Sequence, residues 1–188
     1  MKNIPDQEII DSIKNGNHSD FSILVDRYKI KAFPMLKRML RNEFDAEEVL
    51  QDAFLKAYRS LNSFKGEAKF STWFYRIVYN SALTKLSSKR RKIEQEMSSI
   101  EDHHDLMDSF NSIETEKKNI SEIINDLINL LPEKYSTIIT LFYLNGLTCE
   151  EISETMNITL SNVKVLLYRS RNAMRDMIVK HNLTEEIL

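Results

Sequence analysis

The sequence predicts an all-α protein: two small helical domains joined by a flexible acidic linker, the C-terminal one a helix-turn-helix. Three observations carry this. Glycine and proline are scarce, three of each in 188 residues, whereas a β-sandwich or a doubly wound sheet needs many turn residues. Apolar residues recur at three- and four-residue spacing along most of the chain, the period of a helix with one buried face. Charge is segregated. Residues 1–92 hold 18 Lys+Arg against 11 Asp+Glu, residues 93–131 hold 2 against 10, and residues 132–188 hold 6 against 7. Such blocks, in a chain of formal net charge -2, point to different jobs for different segments.

Pro5 and Asp6 open a short first helix that Gly16 closes. Ser19 and Asp20 open a second, with Phe21, Leu24, Val25 and Tyr28 at helical spacing. Pro34 is expected to kink or split it. Asp45 opens a third, whose stripe is Ala46, Leu50, Ala53, Phe54, Ala57 and Leu61. Residues 62–70 read as a loop, and Ser71 caps a fourth helix that runs to about Lys92. The basic run that ends it is either a solvated helix end that favours the dipole or a phosphate-contact patch. Residues 93 to about 118, poor in periodicity and rich in acids, read as the linker. Apolar spacing resumes at Ile120, Ile123, Ile124, Leu127 and Leu131, and Pro132 starts a helix that ends near Gly146.

Thr148 and Glu151 form a capping box for a short helix from Cys149 to about Met156. After the turn Asn157-Ile158-Thr159 a longer helix follows. Val163, Leu166, Leu167, Ser170, Met174 and Ile178 fall on one side of it. Lys164, Tyr168, Arg171 and Arg175 fall on another, with Arg169 and Asn172 at its flank. An apolar docking face opposite a cationic, aromatic and amide face is what a major-groove recognition helix needs.

Several activities are excluded or disfavoured. No apolar run approaches the ~20 residues of a membrane span, and the first residues lack the apolar stretch of a secretory signal. The single cysteine, Cys149, excludes an intramolecular disulfide framework and a multi-cysteine zinc site, and it fits a reducing cytoplasm. Three dispersed glycines do not make a phosphate-cradling loop. His103-His104 has no further ligands nearby, and no Ser, His and Asp spacing suggests a nucleophile with its base. No cofactor and no enzymatic activity are expected.

Asp45-Ala46-Glu47-Glu48-Val49-Leu50-Gln51-Asp52-Ala53-Phe54-Leu55-Lys56-Ala57-Tyr58 resembles the most typical segment of bacterial sigma factors. Phe64 to Ala68, Ser71 to Ile77 and Asn80 resemble the segment that follows it. Leu131 to Lys134, Gly146 to Thr148, Glu150 to Ile152, Val163-Lys164 and Arg169 to Arg171 resemble the last domain of the small extracytoplasmic-function (ECF) class. The resemblance covers about residues 18–92 and 120–178. It implies a non-enzymatic cytoplasmic factor that binds core RNA polymerase at its β′ coiled coil and β flap, directs it to promoter DNA and helps to open it. An anti-sigma factor is a further implied partner. The implied domains are 1–92 for core binding and minus-ten recognition, 93–119 for the linker and 120–188 for minus-thirty-five recognition.

Carried onto this sequence, the polymerase-binding helix offers Asp45, Glu47, Glu48, Gln51, Asp52 and Leu55, an acidic rim suited to a basic partner. Minus-ten capture needs stacking faces, a base pocket and cations; Phe64, Lys65, Gly66, Trp73, Tyr75, Arg76, Tyr79 and Asn80 supply those types. Lys65, Arg76 and Asn80 are the firmest choices, because helical period turns Trp73, Phe74 and Ile77 toward the core. The minus-thirty-five set is Ser161, Asn162, Lys164, Val165, Tyr168, Arg169, Arg171 and Arg175. Here Val165 and Leu166 stand where many relatives carry a small polar residue and an arginine, so the usual minus-thirty-five sequence is not implied.

A 26-residue linker spans about 30 Å as a coil, whereas the two promoter elements lie on the order of 70 Å apart. Core polymerase must therefore extend it, and the free protein is expected to bind promoter duplex poorly. Acids such as Glu94, Glu96, Glu101, Asp102, Asp105 and Asp108 either mimic RNA in the polymerase exit channel or only keep the tether soluble. The main alternative is a helix-turn-helix regulator that binds duplex operators without sigma activity. It needs neither the acidic helix nor the strand-capturing loop. A sigma-like decoy that binds core without opening DNA would lack the cations and aromatics between Lys65 and Asn80.

Overall fold

The computed structural model describes residues 4–97, 119–181 and 183. Its elements are α1 (Asp6–Lys14), α2 (Phe21–Leu40), α3 (Glu43–Ser60), α4 (Phe70–Met97), α5 (Ile120–Leu130), α6 (Glu133–Ile139), α7 (Cys149–Met156) and α8 (Leu160–Lys180). The described residues contain no strand, so the chain is all-α, as its turn-poor composition predicts. The linker acids named above, His103 and His104 lie outside the described residues, apart from helix residues 94 and 96.

Helices α1–α4 form one unit. Its core is aromatic: Phe54 stacks on Phe74 at 4.7 Å between ring centroids, and Tyr28 meets Phe70 and Phe74 at 5.3 and 5.4 Å. Such pairs add ~0.5–1.5 kcal/mol beyond the area they bury. Helix α1 buries Ile9, Ile10 and Ile13 in this core. It is also pinned by polar contacts: the Asp6 carboxylate accepts from Tyr28 Oη and from Arg27. Burial and this carboxylate together push the Tyr28 phenol well above its ordinary range.

Two boundaries differ from expectation. The third helix starts at Glu43, because the Asn42 side chain accepts the Asp45 N–H and acts as the cap. The fourth starts at Phe70 and runs on to Met97. Helix α2 also continues through Pro34 instead of splitting. The carbonyl that Pro34 orphans belongs to Ile30, which is 72% exposed, so water can satisfy it.

Helices α5–α8 form the second unit. Asn119 and Glu122 make a reciprocal capping box at α5. At α7 the Glu151 N–H donates to Thr148 Oγ1 at 3.2 Å, and Glu151 Oε2 accepts from the Thr148 N–H at 2.8 Å. Val163, Leu167 and Ser170 anchor α8, with Met174, Met177 and Ile178 packed on Ile123 and Leu127 of α5. Between α6 and α7 the chain makes one π-helical turn, residues 140–144, closed by Asn145 N–H to the Thr140 carbonyl at 2.9 Å.

The two units are docked. Helix α4 packs along α7 and α2 against α6, and one apolar cluster runs through both units. The Arg38 guanidinium is buried at this seam. It donates to Asn125 Oδ1 at 2.8 Å, Asn129 Oδ1 at 3.0 Å and Thr140 Oγ1 at 3.3 Å. Burial lowers its pKa. Arg41 caps the C-terminus of α5, donating to the carbonyls of Asn129 and Leu131. Lys69 bridges to Glu151 at 2.9 Å.

Candidate nucleic-acid interface

The loop before α4 turns at Gly66, whose φ of +74° is one that side-chain-bearing residues rarely adopt. From α1, Lys14 Nζ donates to the Phe64 carbonyl at 2.7 Å and fixes the loop's first half. Lys65, Gly66, Arg76 and Asn80 are exposed and Trp73 is half-buried, its indole tilted against Phe64 and Phe70 at 5.1 and 5.5 Å. The structure thus brings Lys65, Gly66, Trp73, Arg76 and Asn80 to the surface: two cations, an amide, a partly open indole and an uncovered backbone.

It withdraws the other three candidates. Phe64 is 6% exposed, Tyr75 1% and Tyr79 9%, which corrects the expectation that they offer stacking faces. Tyr75 lies on the core face of α4, 6.1 Å from the ring of Tyr28, and burial raises its phenol. Tyr79 is buried in the docked form; burial and the nearby Glu133 of α6 raise its phenol.

All eight minus-thirty-five candidates on α8 are exposed: Ser161, Asn162, Lys164, Val165, Tyr168, Arg169, Arg171 and Arg175. Val165 and Tyr168 are 45% and 65% exposed. The Thr159 hydroxyl caps α8 by accepting the Asn162 N–H at 3.2 Å. Lys69 and the Thr148 N–H outweigh the desolvation of Glu151 and hold its carboxyl below the usual range. The α7 cap is thereby tied to the other unit.

The polymerase-facing candidates on α3 divide. Glu47, Gln51, Asp52 and Leu55 are exposed, beside Phe44 at 83% and Ile30 of α2 at 72%. Ile30, Phe33, Pro34, Leu50 and Gln51 line a shallow groove of about 490 Å³. Asp45 instead turns toward α4, and Glu48, itself exposed, pairs with a lysine of that helix. Lys85 Nζ lies 3.4 Å from Asp45 and 2.6 Å from Glu48, and Lys89 also pairs with Asp45. The acidic rim is narrower than the sequence suggests, and part of the basic run is spent on it. Arg38, Arg41 and Tyr143 have no role legible in the sequence. A buried arginine has no sequence signature of its own; its signal is the placement of Asn125 and Asn129 one turn apart on α5.

Comparison with known proteins agrees with this geometry. The family Sigma-70 region 2 matches residues 24–92, and Sigma-70, region 4 matches residues 121–174. The chain is 33% identical over 182 residues to the ECF RNA polymerase sigma-E factor of Haemophilus influenzae, covering 93% of this chain and 96% of that one. It is 34% identical over 178 residues to the ECF RNA polymerase sigma factor SigW of Bacillus subtilis, covering 88% and 92%. In fold it is similar to CnrH in complex with the cytosolic domain of CnrY, with TM-score 0.65, 19% identity and coverage of 93% and 97%. The sigma factor RpoE in complex with the anti-sigma factor NepR from Bartonella quintana is also similar, with TM-score 0.63, 17% identity and coverage of 85% and 96%. With both sigma regions matched in order, and relatives aligned over nearly their whole length, the chain belongs to the ECF class of the sigma-70 family of RNA polymerase sigma factors.

Proposed function

We propose that the two units divide promoter recognition between them: α1–α4, residues 1–92 with the end of α4, binds core polymerase and captures the minus-ten strand, and α5–α8 reads the minus-thirty-five duplex. The observation that supports this best is the pair of different exposed surfaces on one chain. Lys65, Trp73, Arg76 and Asn80 combine cations with an indole and an amide, the chemistry that holds an unpaired base against its backbone. The face of α8 from Ser161 to Arg175 is a polar and cationic stripe on a capped helix, suited to the major groove and its phosphates. The exposed ridge of Phe44, Gln51 and Leu55, flanked by Glu47 and Asp52, fits a basic helical partner such as the β′ coiled coil. The factor acts by binding and orienting, with no reaction of its own. An anti-sigma partner, like the one in the Bartonella quintana complex, would hold it inactive.

Run-off transcription with core polymerase and mapped 5′ ends tests the division. Starts that require this protein are expected to fall at least tenfold with Arg76→Ala/Asn80→Ala, since capture contributes ~1–3 kcal/mol per base, while core binding in a pull-down persists. Unchanged starts would refute the minus-ten assignment. An absence of starts altogether would favour the duplex-operator regulator.

A further inference from the structure

We infer that Tyr143 is a positioning residue that holds Arg171 ready for promoter DNA; this rests on reading the α8 face as the duplex-binding surface. Tyr143 sits in the π-helical turn between α6 and α7. A turn of this kind is rare and concentrates at functional sites, because its extra width re-aims side chains. Here it brings Phe142 and Tyr143 beside Arg171 in the middle of α8. The Arg171 Nε–H donates to Tyr143 Oη at 2.7 Å. Its guanidinium carbon also lies 5.9 Å from the Phe142 ring centroid and 5.7 Å from that of Tyr143, within cation–π range.

The chemistry of this contact is specific. A guanidinium has five N–H donors in a fixed fork. Tyr143 occupies the donor nearest the stem and two ring faces limit the plane's rotation. The terminal amino groups stay open for a bidentate contact with a phosphate or a guanine edge. Among the described residues, the side-chain partner of the Arg171 Nε–H is the neutral Tyr143 hydroxyl rather than a carboxylate. Tyr143 is 53% exposed, so its hydroxyl is not needed for the core. Fixing a long side chain before binding removes an ordering cost otherwise borne on complex formation.

The test uses full-length protein in holoenzyme and a labelled duplex carrying a promoter mapped with the wild type. Affinities are measured across a salt series for Tyr143→Phe, Arg171→Ala and the double variant. Tyr143→Phe keeps the ring and removes only the hydroxyl. It is expected to weaken binding about three- to tenfold, the scale of immobilising one such side chain, without changing the slope of affinity on salt. Arg171→Ala is expected to weaken binding further and to lower that slope by about one if the contact is a phosphate. The double variant is expected to match Arg171→Ala. If Tyr143→Phe costs the same in both backgrounds, the hydroxyl acts independently of Arg171 and the inference falls. If Arg171→Ala weakens binding and Tyr143→Phe does not, the positioning role falls alone. If Arg171→Ala has no effect, the reading of that part of α8 falls with it.

Discussion

Asp45 carries two opposed demands. Its charge suits a basic partner, yet its carboxylate turns toward α4, where it accepts from Lys89 and lies 3.4 Å from Lys85. The hydrogen bond from Lys89, supported by Lys85, holds that carboxyl below its usual range. A depressed carboxylate stabilises the fold above its unfolded pKa, ~3.9, and loses that contribution as pH falls through the lower folded value. Urea midpoints taken from pH 6 down to pH 3 should therefore fall more steeply for the wild type than for Asp45→Asn. The difference should be on the order of 0.2–1 kcal/mol, because the lysines are partly exposed. Parallel curves would show that the pair contributes nothing. Residue type was the easy part of the sequence to read here and direction was not. The acids of α3 and the cations of α4 are each visible, but their mutual pairing depends on where two helices cross. The same limit applies to Tyr75 and Tyr79, whose aromatic character fits stacking and whose helical phase buries them.

At the scale of elements, most of the helices were legible because caps and periodicity act over a few residues. The Thr148/Glu151 box forms with both of its hydrogen bonds, and α7 and α8 begin where their caps place them. Helix α2 was less legible. Proline in a helix interior costs about 3 kcal/mol, which favours a break, but packing of Leu24, Tyr28, Ala32, Met35, Leu36 and Met39 on one buried face holds the helix through it. Replacing Pro34 by alanine should restore the donor to the Ile30 carbonyl and stabilise the protein by about 1–2 kcal/mol, seen as a higher Tm. A lower Tm would mean that the ring's packing in the grooves beside Phe33 outweighs the missing bond. The π-helical turn was not legible at all. Nothing in the residues 140–144 separates it from ordinary helix.

At the scale of the whole molecule, the docked form sets the conditions for function. A packed chain of this length is about 40 Å across, whereas the promoter elements lie on the order of 70 Å apart. The form in which α4 lies on α7 therefore cannot contact both. The seam combines an apolar cluster with weakly held polar contacts. Arg38 is held by two neutral amides and a hydroxyl rather than by a carboxylate, and Lys69 is largely exposed in its pair with Glu151. Opening returns a buried cation to water, which offsets part of the lost contacts. Linker length alone predicts free domains too close for simultaneous contact. A specific seam is not legible in the sequence, because the partners of Arg38 lie 87 to 102 positions from it along the chain.

Single-molecule energy transfer tests this account most directly. Dyes are placed on exposed positions of α3 and α8, at Arg59→Cys and Asp176→Cys, in a Cys149→Ser background. The free protein should show one high-efficiency population that shifts to low efficiency when core RNA polymerase is added. Arg38→Ala should populate the low-efficiency state without polymerase. A free protein that is already extended, or one that stays compact when bound to core and initiating transcription, would contradict it.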